Sequence, residues 1–345
     1  MSIFVIENPL LDIQVNVPDK ALFEKYNLPA GGACLASDEQ QALYPELLKM
    51  EGVEFIPGGS ALNSARATNY MLNHQGLEEK VTYFGSITDD DYGKILEQAL
   101  TDKKIKGMFY KDSGVQTGTC GVVVHDKERS LCANLSAACK YATSHLEANM
   151  AELQAAKLIY TTAFFITSNN EALQKVGKYA ADNNVPLAYN LSATFLIQFN
   201  TAEVDAGLEN ADYVFANEDE ASLWGEVKQM ESKDRKDIAL ALAKFKKTNA
   251  NRKRVAIVTQ GAEPTLVASW DEAAGDYKVK EYPVAKLEKE QIVDTNGAGD
   301  SFVGGFLSQL YQDKDLDRCI EAGIYLSREV VQKSGCQFPE ACTFQ

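Results

Sequence analysis

The sequence predicts an α/β protein built on a mainly parallel sheet flanked by helices. Three observations predict it. Short β-like runs alternate with helical patterns along most of the chain, two β-rich stretches interrupt that alternation, and a strongly apolar helical pattern near the C-terminus follows directly on a glycine-rich turn. In chain order, Leu10 to Leu35 is the first interruption, short-stranded and punctuated by turns. A helix is expected over Ser60 to Leu72, a strand over Val81 to Ile87 and a helix over Asp91 to Thr101. Thr117 to Leu135 is the second interruption. There, Thr119 to His125, a charged turn of Asp126, Lys127, Glu128 and Arg129, and Ser130 to Leu135 read as a hairpin. Strands then follow at Leu158 to Thr162, Pro186 to Leu191, Tyr213 to Asn217 and Val255 to Thr259, with helices at Glu171 to Asn183 and Asp237 to Lys247 and a last helix over Leu316 to Gln332. No repeat, low-complexity tract or long linker divides the chain.

At 345 residues and 45% hydrophobic content, the chain is long enough for a large core. A net charge of −15 argues against nucleic acid or an anionic membrane as a partner, because both are held chiefly by Lys and Arg. The seven cysteines form no CxxC pair and the three histidines lie far apart, so no Cys/His metal site is expected. Ile3 to Ile6 carries no basic lead or cleavage site and no run reaches membrane-spanning length, which points to a reducing, cytoplasmic location. Cys342 stands fourth from the end, but polar Thr343 and the lack of a basic cluster argue against prenylation.

The most informative segment is Asp294-Thr295-Asn296-Gly297-Ala298-Gly299-Asp300. Phe302, Val303, Phe306, Leu307 and Leu310 behind it recur at helical spacing, which places the glycines at a helix N-terminus. Small residues there let backbone N–H groups approach an anion, and the helix dipole favours negative charge. Asp300, in the first turn, could then accept a proton from a hydroxyl attacking a terminal phosphoryl group. Ordinary helix capping explains the same residues without any catalysis. A dinucleotide fingerprint is excluded because Phe302 stands where a third glycine is needed, and no Gly-Lys-Ser/Thr phosphate loop exists.

Three further groupings carry chemistry. Gly58, Gly59, Ser60 and Asn63 open a helix, and with Asp12 they offer a carboxylate and an amide able to grip two vicinal hydroxyls, although a capped turn is the plainer reading. Asn217 and Glu220 end a strand, where a solvated strand-to-helix turn is the alternative. Thr259, Gln260 and Gly261 end another, at the sheet edge where open α/β sheets bind ligands.

The segment from Asp294 to Asp300 resembles the C-terminal signature of the ribokinase-like carbohydrate and nucleoside kinases. The resemblance implies one unit over residues 1–345, with a small β-rich lid from about residues 12–37 and 114–138 and a three-layer α/β/α core, with a mainly parallel sheet, from the remainder. It further implies an anion hole from Gly297, Ala298 and Gly299, Asp300 as general base, and ribose binding by Asp12, Gly59, Ser60 and Asn63. Asn217 and Glu220 would hold Mg²⁺ indirectly, through water, and Asn217, Thr259, Gln260, Gly261, Asn296, Gly297 and Gly299 would lie along ATP. Asn8 to Asp12, Gly118 to Cys120, Arg129 to Leu131, Asn190 to Ala193, Asp294 to Leu310 and Gly335 with Cys336 resemble the branch of that family acting on adenosine.

That likeness implies adenosine and ATP as partners, Mg²⁺ as cofactor and a monomer. It puts Asn8, Leu131, Ala133, Leu135 and Asn296 around the nucleoside, Phe165 and Phe195 against the purine, and Ala33 and Cys34 in the lid near the base. Arg129, at the tip of a mobile hairpin, would swing onto the γ-phosphate. Another nucleoside or sugar kinase, and a nucleoside-binding protein without turnover, are the alternatives.

Overall fold

The computed structural model describes residues 1–29, 32–111, 114–126 and 128–344. Lys127 of the expected charged turn, and residues 30 and 31 of the expected lid, lie outside them. The strands are β1 (Ser2–Ile6), β2 (Leu10–Asn16), β3 (Ala33–Leu35), β4 (Glu54–Gly58), β5 (Val81–Ile87), β6 (Lys106–Lys111), β7 (Thr119–His125), β8 (Glu128–Asn134), β9 (Ala156–Thr162), β10 (Leu187–Asn190), β11 (Tyr213–Asn217), β12 (Val255–Gln260), β13 (Glu263–Asp271) and β14 (Asp276–Tyr282). Nine of them form one sheet in the order β14-β13-β12-β11-β10-β9-β1-β5-β6. It is parallel except at the β12–β13 and β13–β14 pairs. Those two antiparallel strands escaped the sequence reading, since β14 exposes charged residues in alternation and sits at the sheet edge.

Eight longer helices flank this sheet: α1 (Ser60–His74), α2 (Asp91–Asp102), α3 (Ile166–Asp182), α4 (Thr201–Asn210), α5 (Glu218–Val227), α6 (Arg235–Lys244), α7 (Ala298–Leu310) and α8 (Leu316–Val330). The period-two alternation of the strands decides which helices each residue meets. Ile3 and Val5 of β1 face the layer that contains α1, α2, α7 and α8, and Phe4 and Ile6 face the layer that contains α3. A short turn from Ile166 precedes the expected helix at Glu171: non-helical Asn169 separates the two and caps the longer part by accepting the Ala172 N–H at 2.8 Å. Buried Arg254 ties the ends of α4 and α6 together by donating to the carbonyls of Leu208, Ala211, Leu242, Phe245 and Lys246 at 2.6–3.1 Å.

The remaining strands form a second sheet, β3-β8-β7-β2-β4. It occupies the segments expected to form a lid, with two corrections. The sheet starts at Leu10 rather than residue 12, and it recruits β4, well beyond residue 37, by antiparallel pairing of Leu10 with Gly58 through Gln14 with Glu54. Ile13, Val15, Val123 and Cys132 pack one face on the short helices at Ala21–Lys25 and Leu43–Leu47. The other face, with Asp12, Leu131 and Ala133, looks across a cavity at the main sheet.

Candidate active site

The cavity has a volume of about 540 Å³ and lies past the C-terminal ends of the parallel strands, where the carbonyl ends of an open α/β sheet ordinarily receive ligands. Its base is built by helix packing. α7 lies so close to α1 and α8 that a β-carbon on Gly304 would stand 2.2 Å from Ala67 Cβ, and one on Gly305 would stand 2.3 Å from the Ala322 carbonyl. This close approach carries Asp300, in the first turn of α7, onto the first turn of α1. Ser60 Oγ donates to one carboxylate oxygen at 2.7 Å and Asn63 Nδ2 to the other at 3.1 Å. Arg66 Nη1 donates to Asn63 Oδ1 at 3.2 Å, which fixes the amide with its nitrogen toward the carboxylate.

Burial raises the Asp300 pKa to about 6, against the pull of the Ser60 and Asn63 hydrogen bonds. The carboxylate is therefore a stronger base than helix-dipole reasoning alone suggests, yet still largely ionised at neutral pH. It shares the cavity with other raised carboxyls. Burial lifts Asp12 to about 7 despite the opposing charges of Arg129 and Arg66, and Glu220 to about 7. Glu7, which the sequence reading did not select, is raised to about 8 by burial while accepting the Ala61 N–H at 2.9 Å. Its signal in the sequence was an acid closing the apolar run of β1.

Gly297 is the N-cap of α7, with φ of 74°, and a β-carbon there would meet Cys336 Cβ at 2.8 Å. Gly299 is different, because nothing lies within 4 Å of where its β-carbon would be. The first backbone bond of the helix is from Ser301 N–H to the Gly297 carbonyl. The N–H groups ahead of it thus stand at the open end of the helix, beside the space that Gly299 leaves. Ala298 is the exception, since its N–H turns back to the Thr295 carbonyl at 3.3 Å and it does not line the cavity.

Of the remaining expected residues, Asn8, Asp12, Gly59, Ser60, Asn63, Leu131, Ala133, Leu135, Phe195, Asn217, Glu220, Thr259, Asn296, Gly297 and Gly299 do line it, together with Ala33 and Cys34. Asn8 is held by donation from Nδ2 to the Phe164 carbonyl at 3.0 Å and to Thr167 Oγ1 at 3.1 Å.

Three further expectations differ from the structure. Phe165 is fully buried with its ring edge-on to Tyr141, and it is Phe164 that faces the cavity, 6.2 Å from the Phe195 ring. Neighbouring residues of the short 3₁₀ turn Ala163–Phe165 point to different sides, which composition does not reveal. Gln260 is occupied in its own turn, donating to the Pro264 carbonyl at 2.6 Å and accepting from Arg235, and neither it nor Gly261 reaches the cavity.

Arg129 is not at a hairpin tip. It pairs with Val124 one step inside β7–β8, is 7% exposed and forms an ion pair with Asp294 at 2.5 Å. Asn217 and Glu220, which line the cavity as expected, close the end of β11 as a capping box on α5. Asn217 Oδ1 accepts the Asp219 and Glu220 N–H groups, and the two Glu220 oxygens accept from Asn217 N and Nδ2 at 3.0 and 2.9 Å. Among the described residues no group of three or more His, Cys, Asp or Glu side chains could cage a metal. This donor set fits a hard cation that keeps its waters, with Glu220 as an outer partner.

A buried carboxylate at a helix N-terminus, beside the open N–H groups of a glycine-rich turn, is an arrangement suited to phosphoryl transfer in an α/β enzyme. The match to known families agrees: residues 31–342 fit the model of the pfkB family of carbohydrate kinases, and the chain belongs to that family. It is similar to adenosine kinase 2 of Arabidopsis thaliana, with 42% identity over 98% of this chain and 95% of the relative. It is 37% identical to the adenosine kinase of Schizosaccharomyces pombe over 98% and 96% of the two chains. The solved structure of Anopheles gambiae adenosine kinase in complex with P1,P4-di(adenosine-5) tetraphosphate superposes with a TM-score of 0.90 at 38% identity, covering 98% of each chain.

Proposed function

We propose that this chain transfers the γ-phosphate of ATP to the 5′-hydroxyl of adenosine, giving AMP and ADP, the activity named for its full-length relatives. The observation that carries the reading is the placement of Asp300. Its carboxylate, aligned by Ser60 and Asn63, lies in one cavity with the apolar walls of Phe164, Phe195, Leu131 and Leu135 and with the open helix end at Gly299. A flat base fits between the apolar walls, and stacking favours it over a bare sugar. Asp12 accepts from the ribose hydroxyls, and Asn63 Oδ1 keeps a second lone pair for the same purpose. The 5′-hydroxyl then lies toward Asp300, which takes its proton as the oxygen attacks, while N–H groups at the head of α7 receive charge on the transferring group.

The side-chain oxygen of Asn217 is filled by two N–H groups, so Glu220 is the residue that would hold, through water, the Mg²⁺ carried with ATP. When bound, the ion offsets charge on the phosphates. Closure of the second sheet over the nucleoside excludes water that would otherwise hydrolyse ATP. The setting is purine salvage in the cytoplasm, by a monomer. The test is ADP release from MgATP with adenosine, inosine, guanosine, ribose and fructose, alongside Asp300→Asn. Turnover concentrated on adenosine, lost in the variant with adenosine affinity kept, is the expected result. Turnover on a sugar, or adenosine binding without any turnover, overturns it.

A further inference from the structure

The face of the second sheet that looks into the cavity does not stop at the nucleoside walls. Along β2 the same face presents Leu10, Asp12 and then Gln14, and along β8 it presents Ala133, Leu131 and then Arg129. The β8 row ends on the phosphate-binding turn at Asp294, and the β2 row ends on Ser334 and on Arg129 itself. Arg129 Nη1 pairs with Asp294 Oδ2 at 2.5 Å with both side chains nearly buried, at 7% and 11% exposure, and Arg129 Nη2 donates to Gln14 Oε1. Gln14 in turn donates to Glu54 on β4 at 3.1 Å and to Ser334 at 3.4 Å. Asp294 belongs to the other body. Its Oδ1 accepts the N–H of Asn296 at 2.9 Å and its Oδ2 accepts the N–H of Gly335 at 2.7 Å. One carboxylate thus holds the turn before Gly297, the segment that packs against Gly297 through Cys336, and the arginine of the facing sheet.

We propose that Arg129 and Asp294 form a strut through which the second sheet sets the phosphate-binding turn, so that adenosine seated beneath that sheet tightens the binding of nucleotide. Arg129 is then a positioning residue whose partner is a carboxylate, and its charge need not touch a phosphate. The physical requirement is a difference between states. With the second sheet docked, the pair is made and the turn is held from both sides, whereas lifting the sheet removes Arg129 and leaves Asp294 bonded only to its own neighbours. Any ligand that stabilises the docked state gains affinity for its companion by the same factor as the companion gains for it.

The inference rests on the nucleoside reading of the cavity, and the test separates the two. Calorimetry would measure the Kd of a non-hydrolysable ATP analogue with Mg²⁺, with and without saturating adenosine, for the wild type, Arg129→Gln, Asp294→Asn and the double variant. Adenosine binding without nucleotide is measured for each as proof of folding. The expected wild-type tightening is about fivefold or more, falling to near unity in each single variant with no further loss in the double. Tightening retained in Arg129→Gln, absent from the wild type, or lost multiplicatively in the double overturns the strut. The multiplicative result would make Arg129 an independent phosphate ligand. No adenosine binding by the wild type would instead overturn the functional reading. Should Asp294→Asn not fold, Gln14→Leu replaces it, with partial loss of the tightening expected and full retention contradicting the proposal.

Discussion

At the scale of single residues, two adjacent phenylalanines divide binding from stability. Phe164 faces the cavity and Phe165 the core. Phe164→Ala should therefore raise the adenosine KM at least tenfold with a small change in melting temperature. Phe165→Ala should destabilise the fold by about 3–5 kcal/mol through the cavity it leaves. Melting curves and KM values on the pair check this, and a reversed pattern would exchange the roles. Asp300 gives a second expectation. With Asp300 at a pKa of about 6 and Asp12 at about 7, kcat/KM should fall as pH drops through 7 and more steeply below 6. Asp300 accepts the proton only when ionised, and Asp12 accepts from ribose most strongly in that form. Read at saturating adenosine, kcat should show the Asp300 limb alone. Ser60→Ala removes a hydrogen bond that favours the ionised form, so the acid limb should move up by roughly one pH unit. A pH–rate profile that stays in place would show that Ser60 does not tune the base. The identity of Asp300 was legible from the sequence because glycines and an apolar pattern located its helix. Which of Phe164 and Phe165 turns inward was not, since a short 3₁₀ turn has no periodicity long enough to read.

At the scale of elements, the head of α7 sets two glycines to different tasks. Gly297 has a positive φ and contacts Cys336, whereas the space beside Gly299 is open. Gly297→Ala is expected to lower the melting temperature. Gly299→Ala should leave it nearly unchanged but weaken ATP, because the added methyl fills the space from which N–H groups meet phosphate. Differential melting and nucleotide titration would reveal it, and normal ATP affinity in Gly299→Ala would count against the anion site. Most elements of the main sheet could be placed from alternation and turn residues. β4 could not, because Glu54 to Gly58 is a strand only by pairing with β2, a partner far away in sequence. Arg129 lies one step inside the ladder rather than in the turn, for a related reason. Four charged residues in a row read as a turn, while the backbone continues the β7–β8 ladder to His125 and Glu128.

At the scale of the whole molecule, Arg254 shows how far from the cavity stability is set. Burial lowers its pKa, to about 10, so it remains a cation at neutral pH, matched only by the carbonyls it bonds and more distant charges. Arg254→Met should leave those carbonyls unpaired and lower stability by more than about 3 kcal/mol, while the adenosine KM stays near the wild-type value. Denaturant titration and steady-state kinetics would test it, and an unchanged midpoint would deny the role. The second sheet has its own consequence. β2 pairs in parallel with β7, which is encoded after β5, α2 and β6 of the other sheet. On the ribosome, β2 and β4 emerge several seconds before β7 and β8, at roughly 5–20 residues per second. Throughout that interval the nascent chain carries an unpaired strand edge that only later translation can cover, which leaves this segment open to non-native strand pairing during synthesis.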